Sequence, residues 1–162
     1  MMEKRRLSMT VNGQLHEVYV NPKRLLVEVL RDELGLTGTK RACDTASCGA
    51  CTVILNGLTV KSCSVLAVQA QDAEIMTVEG LAAGGRLSSL QQSFLDHGAY
   101  QCGFCTPGML MSATALLQEK PNLTRHEIQE GIHGNICRCT GYNSIIRAIS
   151  AVASGEQSRE GQ

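Results

Sequence analysis

The sequence predicts an α+β chain in two parts: a small sheet with one covering helix, then a small bundle of four helices. Three observations predict it. The first half holds short alternating runs joined by Asn-Gly dipeptides, the strongest short hairpin signal. The second half switches to apolar residues at helical spacing,. Eight cysteines fall into two groups of four, one in each half, with different spacings, so the halves are not a repeat.

Arg6 to Val11 and Leu15 to Val20 flank Asn12-Gly13, which calls for a type I′ turn between antiparallel strands,. Asn21-Pro22 reads as an N-cap with proline at N1. Leu25, Leu26, Val29, Leu30 and Leu34 follow at helical spacing, and Gly35 stops the helix,. A second hairpin is expected with Thr52 to Leu55 and Leu58 to Lys61 around Asn56-Gly57, and a last strand over Glu74 to Val78. Gly80 to Arg86, with Gly84-Gly85 inside, marks the boundary between the parts. The expected division is residues 1–80, a linker over 81–87, a helical part over 88–153 and a flexible polar tail over 154–162.

In the helical part, Ser88-x-x-Gln91 reads as a capping box opening a helix through Leu95. Thr106-Pro107 reads as N-cap and N1 of a helix carrying Met109, Leu110, Ala113, Leu116 and Leu117, broken by Pro121,. Thr124-x-x-Glu127 caps a third helix ending near Gly131. Asn143 caps a fourth, carrying Ile145, Ile146, Ile149, Val152 and Ala153. The cysteine pairs of this half therefore sit in loops at helix ends.

Composition narrows the function. The chain has 162 residues, long enough for one generous domain or two small ones,. Trp is absent and aromatic residues are 3%, so the core must be aliphatic and inorganic clusters can contribute to the fold. Fifteen basic residues balance fifteen acidic ones, leaving none of the basic footprint of a nucleic-acid binder. Met1 to Arg6 is charged but no apolar run follows to make a signal peptide,. No stretch is apolar enough to span a membrane. A cytoplasmic location is expected, and in a reducing compartment tight cysteine pairs favour metal ligation over disulfides.

Cys43, Cys48 and Cys51 follow the C-x4-C-x2-C spacing, with Cys63 after the second hairpin. That is the plant-type [2Fe–2S] pattern. A short loop of small residues can wrap the cluster with its amide N–H groups pointing inward, offsetting the negative charge of thiolates and sulfides. Asp44 and Ser47 read as turn hydrogen-bonders. Cys102 and Cys105 form a C-x2-C pair, and thirty-one residues later Cys137 and Cys139 form a C-x-C pair. Such close cysteines hardly bridge each other but can reach one metal centre. Zinc accepts four thiolates as well, so spacing alone leaves an iron–sulfur cluster and a zinc site both open here. His16, His97, His126 and His133 are scattered and read as surface or structural. No phosphate loop, nucleophile with base or paired acids appears, so substrate chemistry belongs to another chain.

Four stretches carry a family resemblance over Leu7 to about Val152: Leu34 to Lys40, Cys48 to Val53, Gln101 to Met109 and Gly134 to Tyr142. With these motifs the chain resembles the iron–sulfur subunit of the molybdenum hydroxylases, a family including xanthine dehydrogenase, carbon monoxide dehydrogenase and aldehyde oxidoreductases. The resemblance implies a plant-ferredoxin-like (β-grasp) domain with a [2Fe–2S] cluster on Cys43, Cys48, Cys51 and Cys63. A helical domain would hold the second on Cys102, Cys105, Cys137 and Cys139. It further implies a large partner subunit with the molybdopterin cofactor, a medium subunit with FAD, and a pterin contact from Gln101. The helical-domain cluster would lie nearer the molybdenum. Ala42 and Ala46 stand where the family commonly has glycine; a positive φ at either would cost the alanine on the order of 1 kcal/mol. Arg138, between two ligands, would moderate cluster charge or make a surface ion pair, and Tyr142 reads as packing. The function expected is single-electron relay between a molybdenum centre and a flavin; a zinc-organised interaction module and a free-standing ferredoxin are the rivals.

Overall fold

A computed structural model describes residues 3–155; the expected tail falls outside them beyond Gly155. Strands β1 (Arg5–Val11) and β2 (Gln14–Val20) form an antiparallel hairpin. Asn12 and Gly13 take φ of 51° and 79° at its turn, the double left-handed conformation of type I′. β3 (Thr52–Leu55) and β4 (Leu58–Lys61) repeat this around Asn56 and Gly57. β5 (Glu74–Met76) lies parallel to β1 and antiparallel to β3, giving the order β2-β1-β5-β3-β4. The strand is shorter than expected because Val78 enters a helical turn through Leu81.

The covering helix α1 runs from Leu26 to Glu33, its last turn widened so that the Leu34 amide donates to the Val29 carbonyl at 3.1 Å. Asn21 does not cap it. The Asn21 side chain accepts from the Lys23 amide at 3.0 Å, closing a separate turn, while the Leu25 amide donates to the Glu28 carboxylate at 2.9 Å at the true start. Proline after asparagine is as good a turn as a helix opening, and here the turn wins. Gly35 ends the helix with φ 71°.

The helical part comprises α2 (Ser89–Asp96), α3 (Thr106–Glu119), α4 (Arg125–Gly131) and α5 (Asn143–Ala153). Ser88 with Gln91 and Thr124 with Glu127 form the two expected capping boxes. Two N-caps fall one residue earlier than expected: Cys105 precedes Thr106 at N1, and Tyr142 precedes Asn143. Tyr142 sits at φ 68°, a left-handed conformation that costs a bulky residue roughly 1–2 kcal/mol. Its hydroxyl explains what holds it there, as shown below.

Each part has its own core. Leu7, Met9, Val11, Leu26, Leu30, Val53 and Ile75 are buried between sheet and α1. Phe94, Met109, Ala113, Ile128, Ile145 and Ile149 fill the bundle. Each such side chain larger than alanine contributes roughly 1.5–3 kcal/mol on burial, so both parts are held by largely aliphatic packing. The expected linker closes as a tight turn, with paired Ala83–Arg86 backbone bonds of 3.0 Å and Gly84 and Gly85 both at positive φ. α3 packs against β3, which brings the two halves into contact. No helix among the described residues is long and apolar enough to cross a membrane.

Candidate functional site

All eight cysteines are free thiols, and the fold gathers them in two places. Cys43, Cys48 and Cys51 lie on the loop between α1 and β3, and Cys63 on the turn after β4. Within this group the Cys43 thiol contacts that of Cys48, and the Cys63 thiol contacts that of Cys51. Cys102 and Cys105 lie before α3; Cys137 and Cys139 lie between α4 and α5. Here Cys102 pairs with Cys139, their sulfurs 3.6 Å apart, and Cys105 pairs with Cys137. Two thiolates held about 2.3 Å from one tetrahedral metal stand roughly 3.8 Å apart, so the observed separation suits two ligands of one ion. The two-and-two pairing in each group suits a centre with two metals. Among the described residues no three of His, Cys, Asp and Glu converge closely enough to hold a single ion.

Amide and hydroxyl donors are aimed at these sulfurs. Cys43 is lowered to about 6, first by the Thr45 hydroxyl and then by the Cys48 and Thr45 amides. The Ala50 amide points at Cys48, whose pKa burial nevertheless raises. Cys63 is pushed up to about 11 by burial and by Cys51, against a donor from the Ala46 amide. Ala46 reaches that position through φ 55°; Ala42 has no positive φ. The concern about a strained alanine therefore applies to Ala46 alone. In the second group burial drives Cys105 up to about 12. Burial also presses Cys137 upward, but the Thr140 hydroxyl, at 3.0 Å, and the Thr140 amide, at 3.4 Å, outweigh it and leave Cys137 lowered. Such donors are what four thiolates around a metal centre require, and metal binding would displace the protons of the raised thiols.

The neighbours have structural roles. Asp44 pairs with Arg41, and the Ser47 hydroxyl donates to the Thr45 carbonyl at 3.2 Å. Lys61 donates to the Ser47 carbonyl at 3.2 Å, tying β4 to the first loop. Among the described residues no histidine joins a three-ligand cluster, and His126 and His133 are exposed. Gln101 and Arg138 are exposed beside Cys102 and Cys139, and Arg138 makes no ion pair among the described residues. Tyr142 does more than pack: its hydroxyl accepts from the Cys137 amide at 2.8 Å and donates to the Asn135 carbonyl at 3.3 Å.

Sequence reasoning missed the residues that join the two groups. The Ile136 amide donates to the Cys48 carbonyl at 2.8 Å, and the buried Asn135 side chain donates to the Gly49 carbonyl at 3.0 Å. Their only signal in the sequence is adjacency to cysteines, which does not say that the two loops meet.

Residues 9–82 match a family described as a 2Fe-2S iron-sulfur cluster binding domain, and residues 77–150 a [2Fe-2S] binding domain. The chain is 46% identical to the nicotinate dehydrogenase small FeS subunit of Eubacterium barkeri, over 91% of this chain and 94% of that one. It is 47% identical to the xanthine dehydrogenase iron-sulfur-binding subunit of Escherichia coli O157:H7, over 86% and 89%. Quinoline 2-oxidoreductase from Pseudomonas putida 86 superposes with a TM-score of 0.92 at 48% identity, over 98% of both chains. The aldehyde oxidoreductase of Desulfovibrio desulfuricans ATCC 27774 superposes at 0.89 and 42% identity, over 95% of this chain and 17% of that one. Two thiol quartets, each within its own matched [2Fe–2S] domain, and subunit relatives alike over almost their whole length leave one assignment: the chain belongs to the iron–sulfur (small) subunit family of the molybdenum hydroxylases, the xanthine dehydrogenase family.

Proposed function

We propose that Cys43, Cys48, Cys51 and Cys63 hold one [2Fe–2S] centre and Cys102, Cys105, Cys137 and Cys139 the other. The chain is an electron-transfer subunit of an oxidoreductase complex. Each centre, when bound, accepts and returns one electron. The residues of this chain supply thiolate ligation, aim donors at the sulfurs and exclude solvent from Cys51 and Cys137, which are buried. The observation that carries the reading is the two-and-two pairing of thiols within donor-lined loops. Neither a zinc-organised module nor a free-standing ferredoxin finds support, since both matched domains are [2Fe–2S] domains and the relatives are named as subunits.

The complex contains a molybdopterin-binding partner. Its substrate site lies on that large subunit, because the described residues of this chain form no acid, base or nucleophile constellation. A medium subunit with FAD receives the electrons. Gln101, exposed beside Cys102, contacts the pterin across the interface. The second quartet, with Cys102 and Cys139 exposed at its edge, faces the molybdenum, and the first passes electrons toward the flavin. The division into 1–80, a linker over 81–87 and 88–153 is supported by the separate cores and by the tight Gly84-Gly85 turn. The balanced charge and paired thiols suit the cytoplasm.

Iron analysis and EPR of the reduced complex test the reading. Two [2Fe–2S] centres require four irons per chain and two signals. Cys139→Ser is expected to remove one signal and leave the other. Survival of both at full intensity, or stoichiometric zinc, would overturn the ligand assignment. Sequencing the proteins that co-purify tests the two partners.

A further inference from the structure

Asn135 is only 4% exposed, yet it is polar and lies where the two halves meet. Every polar atom of its side chain is used. Its amide nitrogen donates to the Gly49 carbonyl at 3.0 Å and reaches Thr52 Oγ1 at 3.5 Å; its oxygen accepts from the Ser112 hydroxyl at 2.7 Å. Its backbone amide donates to Ile132 and its carbonyl accepts from Tyr142. A buried amide satisfied at every position fixes a geometry more tightly than an apolar contact of the same size.

The backbone around it has no slack. A Cβ at Gly49 would come within 2.4 Å of the Gly134 carbonyl and 2.7 Å of Asn135 Nδ2, and one at Gly108 within 2.2 Å of the Gly49 carbonyl. Both glycines are therefore close-approach positions. The Ile136 amide adds a direct bond to the Cys48 carbonyl at 2.8 Å. These contacts fall next to candidate ligands on both sides: Gly49 follows Cys48, Thr52 follows Cys51, and Ile136 precedes Cys137. The first loop and the C-x-C loop are thus not hung from separate domains but fastened to each other.

We infer that Asn135, seated between Gly49 and Gly108, is a positioning residue that sets the separation of the two thiol quartets and hence of the centres they hold. The inference rests on the two-centre reading above. It assigns the domain interface a task beyond stability: one electron passes from one quartet's centre to the other across a fixed gap.

The test is EPR of the holoenzyme reduced by dithionite, which donates one electron to each centre. Two paramagnetic centres at a fixed short distance split each other's signals. Asn135→Ala, Ser112→Ala and Gly108→Ala are compared with the unaltered complex; the first removes the clamp, the second loosens it, the third wedges α3 away from the first loop. The expected result is retention of both signals at full spin count with the mutual splitting diminished in all three. A merely structural role would lower the melting temperature and leave the splitting unchanged, and that result overturns the proposal. Where Asn135→Ala fails to assemble a centre, Ser112→Ala and Gly108→Ala decide by the same criterion. Absence of two [2Fe–2S] signals in the unaltered complex would instead overturn the two-centre reading itself.

Discussion

The Cys137 amide donates to the Tyr142 hydroxyl at 2.8 Å, so the side chain that caps α5 closes the C-x-C loop from behind. The left-handed Tyr142 backbone, at φ 68°, is the strain that this closure maintains. Tyr142→Phe keeps the ring and leaves a buried amide without its partner, a loss of about 1–3 kcal/mol. Denaturant titration followed at the cluster absorbance is expected to show the second centre bleaching earlier and the first unchanged. Equal bleaching of both centres in variant and parent would contradict this role.

Thr140 offers two donors to the Cys137 sulfur, its hydroxyl at 3.0 Å and its amide at 3.4 Å. Donors to a ligand sulfur favour the reduced, more negative state and raise the potential. Thr140→Val removes the hydroxyl at constant shape. A charge-assisted bond of about 1.5 kcal/mol corresponds to roughly 60 mV for one electron, and only the part differing between oxidation states is read. The second centre's potential is expected to fall by an amount in the tens of millivolts in an EPR-monitored redox titration. A rise, or an equal shift in both centres, would refute it.

Ala46 adopts φ 55° and directs its amide to Cys63, whereas Ala42 has no positive φ. Ala46→Gly relieves a strain of roughly 1–2 kcal/mol, partly offset by about 0.4–1 kcal/mol of added freedom in the unfolded chain. It is expected to stabilise the first centre slightly toward guanidinium. Ala42→Gly meets only the entropic loss and is expected to destabilise. The two substitutions moving the same way would show that the backbone conformation at Ala46 is not the controlling factor.

Glu127 is held at about 2, below its ordinary 4.5, first by Lys120 and then by the Thr124 hydroxyl and amide. A depressed carboxylate stabilises the fold above its unfolded value, and that contribution disappears as pH falls from 4.5 through about 2. Helicity measured by circular dichroism across that window is expected to fall more in the parent than in Glu127→Gln, which starts lower at neutral pH. Identical acid profiles would remove Glu127 from the account.

Short-range signals were legible in the chain. Both Asn-Gly turns and the Ser88 and Thr124 capping boxes depend on a few adjacent residues, and the structure places them as read. The misplaced helix starts failed for the same reason that they are local. Asn21 satisfies a nearby amide as well in a turn as in a cap, and Tyr142 takes the cap from Asn143 only because Cys137 lies across the loop from its hydroxyl. Spacing brought neighbouring cysteines together, since thiols with only one to four residues between them must share a loop.

The amino-acid order alone determined the two aliphatic cores, the turns and the quartets, because periodicity and ligand spacing are properties of neighbouring residues. Only the folded chain decided that α3 lies on β3, that Asn135 reaches Gly49 and that Ile136 bonds to Cys48. The Asn135 and Ile136 bonds join residues more than eighty positions apart, and a bond between such distant groups exists only once both domains have folded and packed together.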